Sequence, residues 1–439
     1  MTVAALLALA LVAMAIPAGA STATLMSEKL VAGKPTIGSY GNLAYTKGSV
    51  VYTKVVDEEN DLVDLYRYST AASTAKRLMK ADGISLGRPR ISGLKVVYSR
   101  QPSASSNEDD IYVRDLSASS TGVQSRITSD TADQTNPDIA GNIVVWEDDR
   151  NGSSDIYAYD LTTKLESIVC TATGNQIDPS VSGSRVVYAD NRANSTDWDI
   201  YVKDLKTGEE KLLVGSAGNQ TNAVISGNNV VYETWTGASS SIRHIKLGTD
   251  ASGKITASSS RGLSIGTANQ YAPDVSGDRV VWVYQGATSS ALYYYDLAVG
   301  TRHKLFSGTS LIDSPQISSS KVVYIKTDSK GVSRIYLASL KLPKLTIAAP
   351  TAVTSGSRVK LTGKLKTSAG SAIAKRSVKI ESSTDNKTWT PVWTVKTNSS
   401  GAYTYKTAAI KQATYFRATY KGGSTYLSAR SAAKKVGLK

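Results

Sequence analysis

Apolar and polar positions along this chain follow a pattern that returns seven times. Each return is a short polar stretch, usually containing Pro, then a Gly or Ser turn, then Val-Val followed by Tyr or Trp. The copies read NLAYTKGSVVY (42 to 52), RPRISGLKVVY (88 to 98), NPDIAGNIVVW (136 to 146), DPSVSGSRVVY (178 to 188), NAVISGNNVVY (222 to 232), APDVSGDRVVW (272 to 282) and SPQISSSKVVY (314 to 324). A second motif follows each one: Asp64-Leu65-Tyr66, Asp110-Ile111-Tyr112, Asp155-Ile156-Tyr157 and Asp199-Ile200-Tyr201, then the degraded Ser241-Ile242-Arg243, Leu292-Tyr293-Tyr294 and Arg334-Ile335-Tyr336. β-branched and aromatic residues in short runs suit strands, and the Gly, Asn, Asp and Ser between them suit turns. Each unit therefore predicts four strands, and the spacing of about 42 to about 50 residues is that of a propeller blade. One such sheet cannot bury both faces, whereas seven stacked around an axis can. The expected fold class is all-β: a seven-bladed β-propeller over 21–340, followed by a smaller β-sandwich.

Both ends depart from the repeat. Val3 to Ala15 is uninterrupted apolar, Pro17 breaks it, and Ala18-Gly19-Ala20 offers a cleavage site before Ser21, so 1–20 reads as a signal peptide. Residues 21 to 37 include ATLMSEKLV, which resembles the outer strand GEEKLLV (208 to 214) and is expected to complete the seventh blade. Beyond Lys341-Leu342-Pro343 the repeat stops. Six short alternating segments, separated by turns such as TSAGSA, TDNKT and NSSG, predict a sandwich over 341–439. In its last long segment Phe416, Ala418 and Tyr420 share one face and Tyr415, Arg417 and Thr419 the other.

Charge divides the chain at the same place. The 439 residues carry a net charge of +15, yet Lys341 to Lys439 holds 19 Lys and Arg against only Glu381 and Asp385, which leaves the remainder slightly negative. A basic module on an exported chain points to envelope polyanions, acidic glycans or anionic headgroups as partners, and export sets nucleic acid aside. The single cysteine, Cys170, allows no intrachain disulfide and reads as a buried structural thiol.

Candidate chemistry is sparse. With only His244 and His303, a histidine-based triad or metal site has little raw material. Ser85 and Ser264 sit in G-x-S-x-G matches, but in connections leading into a repeat rather than between a strand and a helix, so no nucleophile is assigned. Asp138, Asp178 and Asp274 stand where a channel lining is expected, at repeat-equivalent places that repeat structure explains without catalysis. The loops between the second and third strands of the first four units are acidic: Asp57, Glu58, Glu59, Asp61 and Asp64; Glu108, Asp109 and Asp110; Glu147, Asp148, Asp149 and Asp155; Asp190, Asp197 and Asp199. They predict an acidic crescent on one rim, built of solvated turns or binding a basic partner. Within it Asp148, Asn151 and Asp155 form a weak calcium candidate, and no other cofactor is expected.

QTNPDIAGNIVVWEDDRNGSSDIYAYDLTT (134 to 163) resembles the TolB-like propeller repeat of exported microbial proteins. STDNKTWTPVWTVKTNSSGAYTYK and TYFRATYKGGSTYLSARS resemble bacterial immunoglobulin-like modules. TolB itself carries an α/β domain ahead of its propeller, which has no counterpart in the residues before the first repeat. The resemblance implies a non-enzymatic, secreted or cell-surface binding scaffold (periplasmic in a Gram-negative cell), monomeric and peripheral to membrane or wall. On this reading the propeller binds a protein or glycan and the basic module attaches to the envelope. The alternatives are a carbohydrate-active hydrolase or lyase working through channel carboxylates, and a Tol-like periplasmic scaffold.

Overall fold

The computed structural model describes residues 25–33, 40–57, 62–80, 86–103, 105–117, 119 and 121–439. The expected signal peptide, Glu58, Glu59, Asp61 and Ser85 lie outside them. Every regular element among the described residues is a strand.

The repeat units form seven antiparallel sheets, and in six of them the strands follow chain order from first to last. The third sheet is typical, with strands Gln134–Ala140, Ile143–Asp148, Asp155–Asp160 and Leu165–Cys170. Its second strand carries the Val-Val-aromatic motif, and the structure explains why that motif has no polar face. Val144 and Trp146 point into a cluster with Val97 and Ile111 of the sheet before, whereas Val145 points into one with Val186 and Tyr188 of the sheet after. All three are fully buried, so the alternation along the strand divides two hydrophobic interfaces rather than core from solvent. The motif's aromatic residue stands opposite the Tyr of the third strand and stacks on it in six of the sheets, as Trp146 does on Tyr157 at 6.3 Å. In the fifth sheet the opposite residue is Arg243, in the degraded copy of the second motif.

The seventh sheet is assembled from both ends of the repeat region. Leu311–Ser318, Lys321–Thr327 and Ser333–Leu340 supply three strands, and Met26–Ala32 pairs antiparallel with the last of them, Met26 opposite Leu340. Glu28 fastens this strand further by accepting from the Tyr324 hydroxyl and pairing with Lys326 at 2.9 Å. First strands of successive sheets lie side by side, and the circle closes where Tyr40–Thr46 meets Leu311–Ser318.

Residues beyond Leu342 form two further sheets. Lys344–Ala348, Ser357–Lys366 and Ala402–Ile410 make one, and the other is centred on Ser377–Ser383 and Thr414–Tyr420. They enclose a core of Leu345, Val359, Leu361, Ile380, Tyr403, Phe416 and Ala418, with Phe416, Ala418 and Tyr420 inward as their alternation predicts. This module rests on the sixth and seventh sheets. Leu427 is wholly buried in a cluster with Leu25, Met26 and Leu340, worth about 2 kcal/mol of apolar burial. Beside it the Ser428 hydroxyl donates to Asp296 at 2.7 Å and Arg430 donates to the Ala298 carbonyl at 2.8 Å.

Candidate functional site

The Pro-containing stretch ahead of each Val-Val motif becomes the inner strand of its sheet. In five sheets that strand carries a bulge at the same point, with a residue in the left-handed region: Asn136, Asp178, Asn222, Ala272 and Ser314, all at φ between 48° and 53°. A bulge leaves its extra residue outside the ladder, which is why Pro137, Pro179, Pro273 and Pro315 are tolerated next to it. Asn and Asp adopt this conformation readily, whereas Ala272 and Ser314 cost about 1 kcal/mol each.

These bulges surround a central cavity of about 690 Å³, to which all seven inner strands contribute. Its wall is polar and of mixed sign. Arg88 and Arg90 enter from the second sheet, and Asp138, Asp178, Glu233, Asp274 and Asp313 come from the third to the seventh. Several acids tie neighbouring sheets together. Asp138 accepts from the backbone N–H of Val181 at 2.9 Å and Asp274 from that of Ile317 at 2.6 Å, both in the next sheet; Ser180 holds the same place toward Ile225 at 3.4 Å. Glu147 Oε1 accepts from the Asp178 N–H at 2.6 Å and from the Asn136 amide at 2.7 Å, and Glu233 does likewise from the Ala272 N–H at 2.7 Å. Repeat architecture thus gives these carboxylates a structural role.

Their electrostatics remain unusual. Burial, reinforced by Asp178, pushes the Glu147 carboxyl up to about 7, and burial pushes Asp274 up to about 7 and Asp138 upward as well. The charge of Arg90 and burial bring Arg88 down to about 10. Arg90 lies 3.7 Å from Asp138 through Nε, while among the described residues its buried Nη1 has no hydrogen-bond partner, and neither has the buried Oε1 of Gln285 across the cavity wall. Unpartnered donors and acceptors at a polar cavity are the groups a polar ligand satisfies.

Among the described residues the acidic crescent expected on the rim does not form a continuous exposed surface. Asp110, Asp148 and Asp190 turn inward, at 1%, 0% and 0% exposure, and each meets an arginine at 2.6 Å: Arg126, Arg150 and Arg192. Stacked sheets remove these strand ends from water, and a buried carboxylate requires a cation and hydrogen bonds. Asp148 also accepts from Trp146 Nε1 at 2.8 Å, and Arg150 and Arg192 lie 4.3 Å above the rings of Tyr157 and Tyr201. Asp109 is half-buried, accepts from Ser99 at 3.2 Å and is pushed up by burial to about 6. Glu108, Asp149 and Asp197 remain partly or fully exposed, and Asp57 ends the strand Ser49–Asp57. Glu147, grouped with this rim in the sequence, stands half-buried against the cavity residues Asn136 and Asp178 instead.

The calcium candidate is likewise rearranged. Arg150 occupies both oxygens of Asp148, and the Asn151 amide nitrogen donates to Asp155 at 2.7 Å, so the three residues do not converge as oxygen ligands. Among the described residues no group of three or more His, Cys, Asp or Glu side chains is placed to hold a metal. His244 is buried against Asn229 at 2.9 Å, and burial lowers it to about 4. Ser264 accepts from the Ile242 N–H at 3.1 Å, in the loop after the short outer strand Arg261–Gly262.

The arginines, and Glu233 in the fifth unit, escape a sequence reading that follows the acidic loops of the first four units. Their signals are present: Arg two positions after the strand-end Asp in DDR and DNR, and Glu directly after the aromatic residue in VVWE and VVYE.

No protein-family model matches the chain, and no curated protein does. Solved structures do. The β-propeller domain of the trilobed protease from Pyrococcus furiosus is 13% identical, with 68% of this chain and 94% of that one covered at a TM-score of 0.51. A prolyl endopeptidase structure is 16% identical at a TM-score of 0.50, covering 77% of this chain but only 55% of the endopeptidase. TolB from Acinetobacter baumannii is 19% identical over 62% of this chain and 67% of its own, at a TM-score of 0.42. The first two likenesses show a β-propeller fold; at such identities they bear on the fold alone.

Proposed function

We propose that this chain is a non-enzymatic binding scaffold of the cell envelope, either secreted to the surface or periplasmic. Its seven sheets act as a seven-bladed propeller head, and an immunoglobulin-like module holds that head at the envelope. The observation that carries the reading is the cavity wall: Arg88 and Arg90 face carboxylates from other sheets, with Arg90 Nη1 and Gln285 Oε1 buried and unpartnered among the described residues. Such a wall suits a polar segment of a protein or glycan, engaged by hydrogen bonds to both signs of charge. A Tol-like periplasmic scaffold is a special case that differs in its partner, an outer-membrane lipoprotein.

The test is binding of the full chain to immobilised peptide and glycan arrays, compared with Arg90→Ala. Saturable binding that falls about tenfold or more in the variant, with an unchanged circular dichroism spectrum, is expected, since a charge-assisted hydrogen bond contributes about 1.5–3 kcal/mol. Chemical turnover of a bound glycan, abolished by Glu147→Gln or Asp274→Asn without loss of folding, would replace this reading with the hydrolase or lyase alternative.

A further inference from the structure

Strand register gathers much of the C-terminal module's charge on one surface. On the three-stranded sheet Lys344, Arg358, Lys360, Lys364 and Lys406 are exposed and Lys366 is half-buried. Lys360 stands directly opposite Lys406, and Lys344 directly opposite Lys366. Like charges placed directly opposite across strands destabilise a sheet. Nothing within the module relieves them. Its two acids are engaged elsewhere, Glu381 by Lys379 and Arg417 at 2.7 and 2.8 Å, and Asp385 by Ser383 and the backbone N–H groups of Lys387 and Thr388. The face carries uncompensated positive charge that an external polyanion would neutralise.

Trp393, 59% exposed, stacks on Tyr405 at 6.3 Å, but Tyr405 packs toward the core opposite Leu361, on the other side of its strand from Lys406, so this ring pair lies off the basic face. The basic face itself presents Thr346, Thr362 and Thr404 between the cations, and its exposed apolar groups are only alanines, so it has nothing to insert among acyl chains.

We propose that this face binds an acidic polysaccharide, with the lysines neutralising uronate or similar carboxylates along the polymer. Lys360 and Lys364 lie four residues apart along one strand, about 13 Å, so several charges of one extended chain can be met at once. This deepens the anchoring half of the proposed function and rests on it.

The experiment measures the affinity of the full chain for polygalacturonate across a salt series. Neutral dextran, phosphatidylglycerol vesicles and a dT oligonucleotide serve as comparators, and the variants are Lys360→Gln/Lys406→Gln and Trp393→Ala. Polygalacturonate should bind at low salt and be released as salt rises. Each cation near an anionic surface contributes about fivefold, so the double variant should lose about thirtyfold. Because it removes a like-charge pair, its thermal midpoint should be unchanged or higher, which separates loss of binding from loss of folding. Trp393→Ala, off the basic face, should leave polygalacturonate binding as it was, and a marked loss there would place the site elsewhere on the module. Absence of polygalacturonate binding at low salt, indifference to the double variant, or tighter binding of the vesicles or the oligonucleotide would each overturn the proposal. Co-sedimentation with isolated envelopes separates the two levels: if the chain sediments but polygalacturonate does not bind, the polysaccharide is wrong and the anchor stands. If neither occurs, both fall.

Discussion

Arg150 holds a carboxylate that has no access to water. Asp148 is 0% exposed and meets Arg150 through two side-chain bonds, at 2.8 and 2.6 Å, as well as Trp146 Nε1 at 2.8 Å. Arg150 itself keeps 22% exposure, reaches Glu166 at 2.8 Å and covers the Tyr157 ring. The two partners should therefore respond unequally to removal. Arg150→Ala strands a buried charge and should cost about 3–5 kcal/mol. Asp148→Asn keeps an acceptor for Trp146 and leaves an arginine that still has Glu166 and water, so it should cost about 1–2 kcal/mol. Once the charge is gone, removing Arg150 loses mainly packing, and the double variant should fall short of the sum by about 2–3 kcal/mol. Urea unfolding followed by tryptophan fluorescence reports on this region, and midpoints are comparable among variants whose slopes agree. The fourth sheet repeats the arrangement with Asp190, Arg192 and Glu210, so Arg192→Ala should behave alike. Arg126 is 38% exposed beside Asp110, and a smaller loss is expected there. An Arg150→Ala cost below about 1 kcal/mol, or strict additivity in the cycle, would refute the argument that stacked sheets force these acids to be neutralised internally.

Two further outcomes follow from the same physical reasoning. Glu147 and Asp274 are raised to about 7 in the folded chain from ordinary values of 4.5 and 3.8, so between about pH 4 and 7 the folded state holds the extra protons. Their contribution to stability is then greatest at the acid end of that window and declines as pH rises through 7. Thermal midpoints at pH 5 and pH 8 should differ less in Glu147→Gln and Asp274→Asn than in the unaltered chain; an identical difference would remove these groups as its source. A chain beginning at Gly38 lacks Met26–Ala32, which exposes the edge of Ser333–Leu340 and the cluster around Leu340 and Leu427. It should melt at lower temperature and be cleaved faster by protease in the seventh sheet, and equal stability would mean that the strand does not close the ring.

The legibility of this protein divides by the range of the interactions involved. Turn glycines, β-branched pairs and the Asp-Ile-Tyr motif act over a few residues, so the four strands of each unit, the change of module after Leu342 and the likeness of ATLMSEKLV to an outer strand could all be read along the chain. Strand alternation also put Phe416, Ala418 and Tyr420 on one shared face, because parity is local, and the structure turns that face inward. Parity could not say what lies on either side. Glu147 and Asp148 are neighbours of the same charge type, yet one ties Asn136 to Asp178 beside the central cavity and the other is sealed beside Arg150. That difference depends on which sheet stacks against which face. The same holds for the basic residues: their number was plain from composition, but only the pairing of Ser357–Lys366 with Lys344–Ala348 and Ala402–Ile410 sets Lys360 against Lys406. Charge in a sequence is a sum, whereas the field it produces depends on distance and on the water excluded between charges, and both are properties of the assembled sheets.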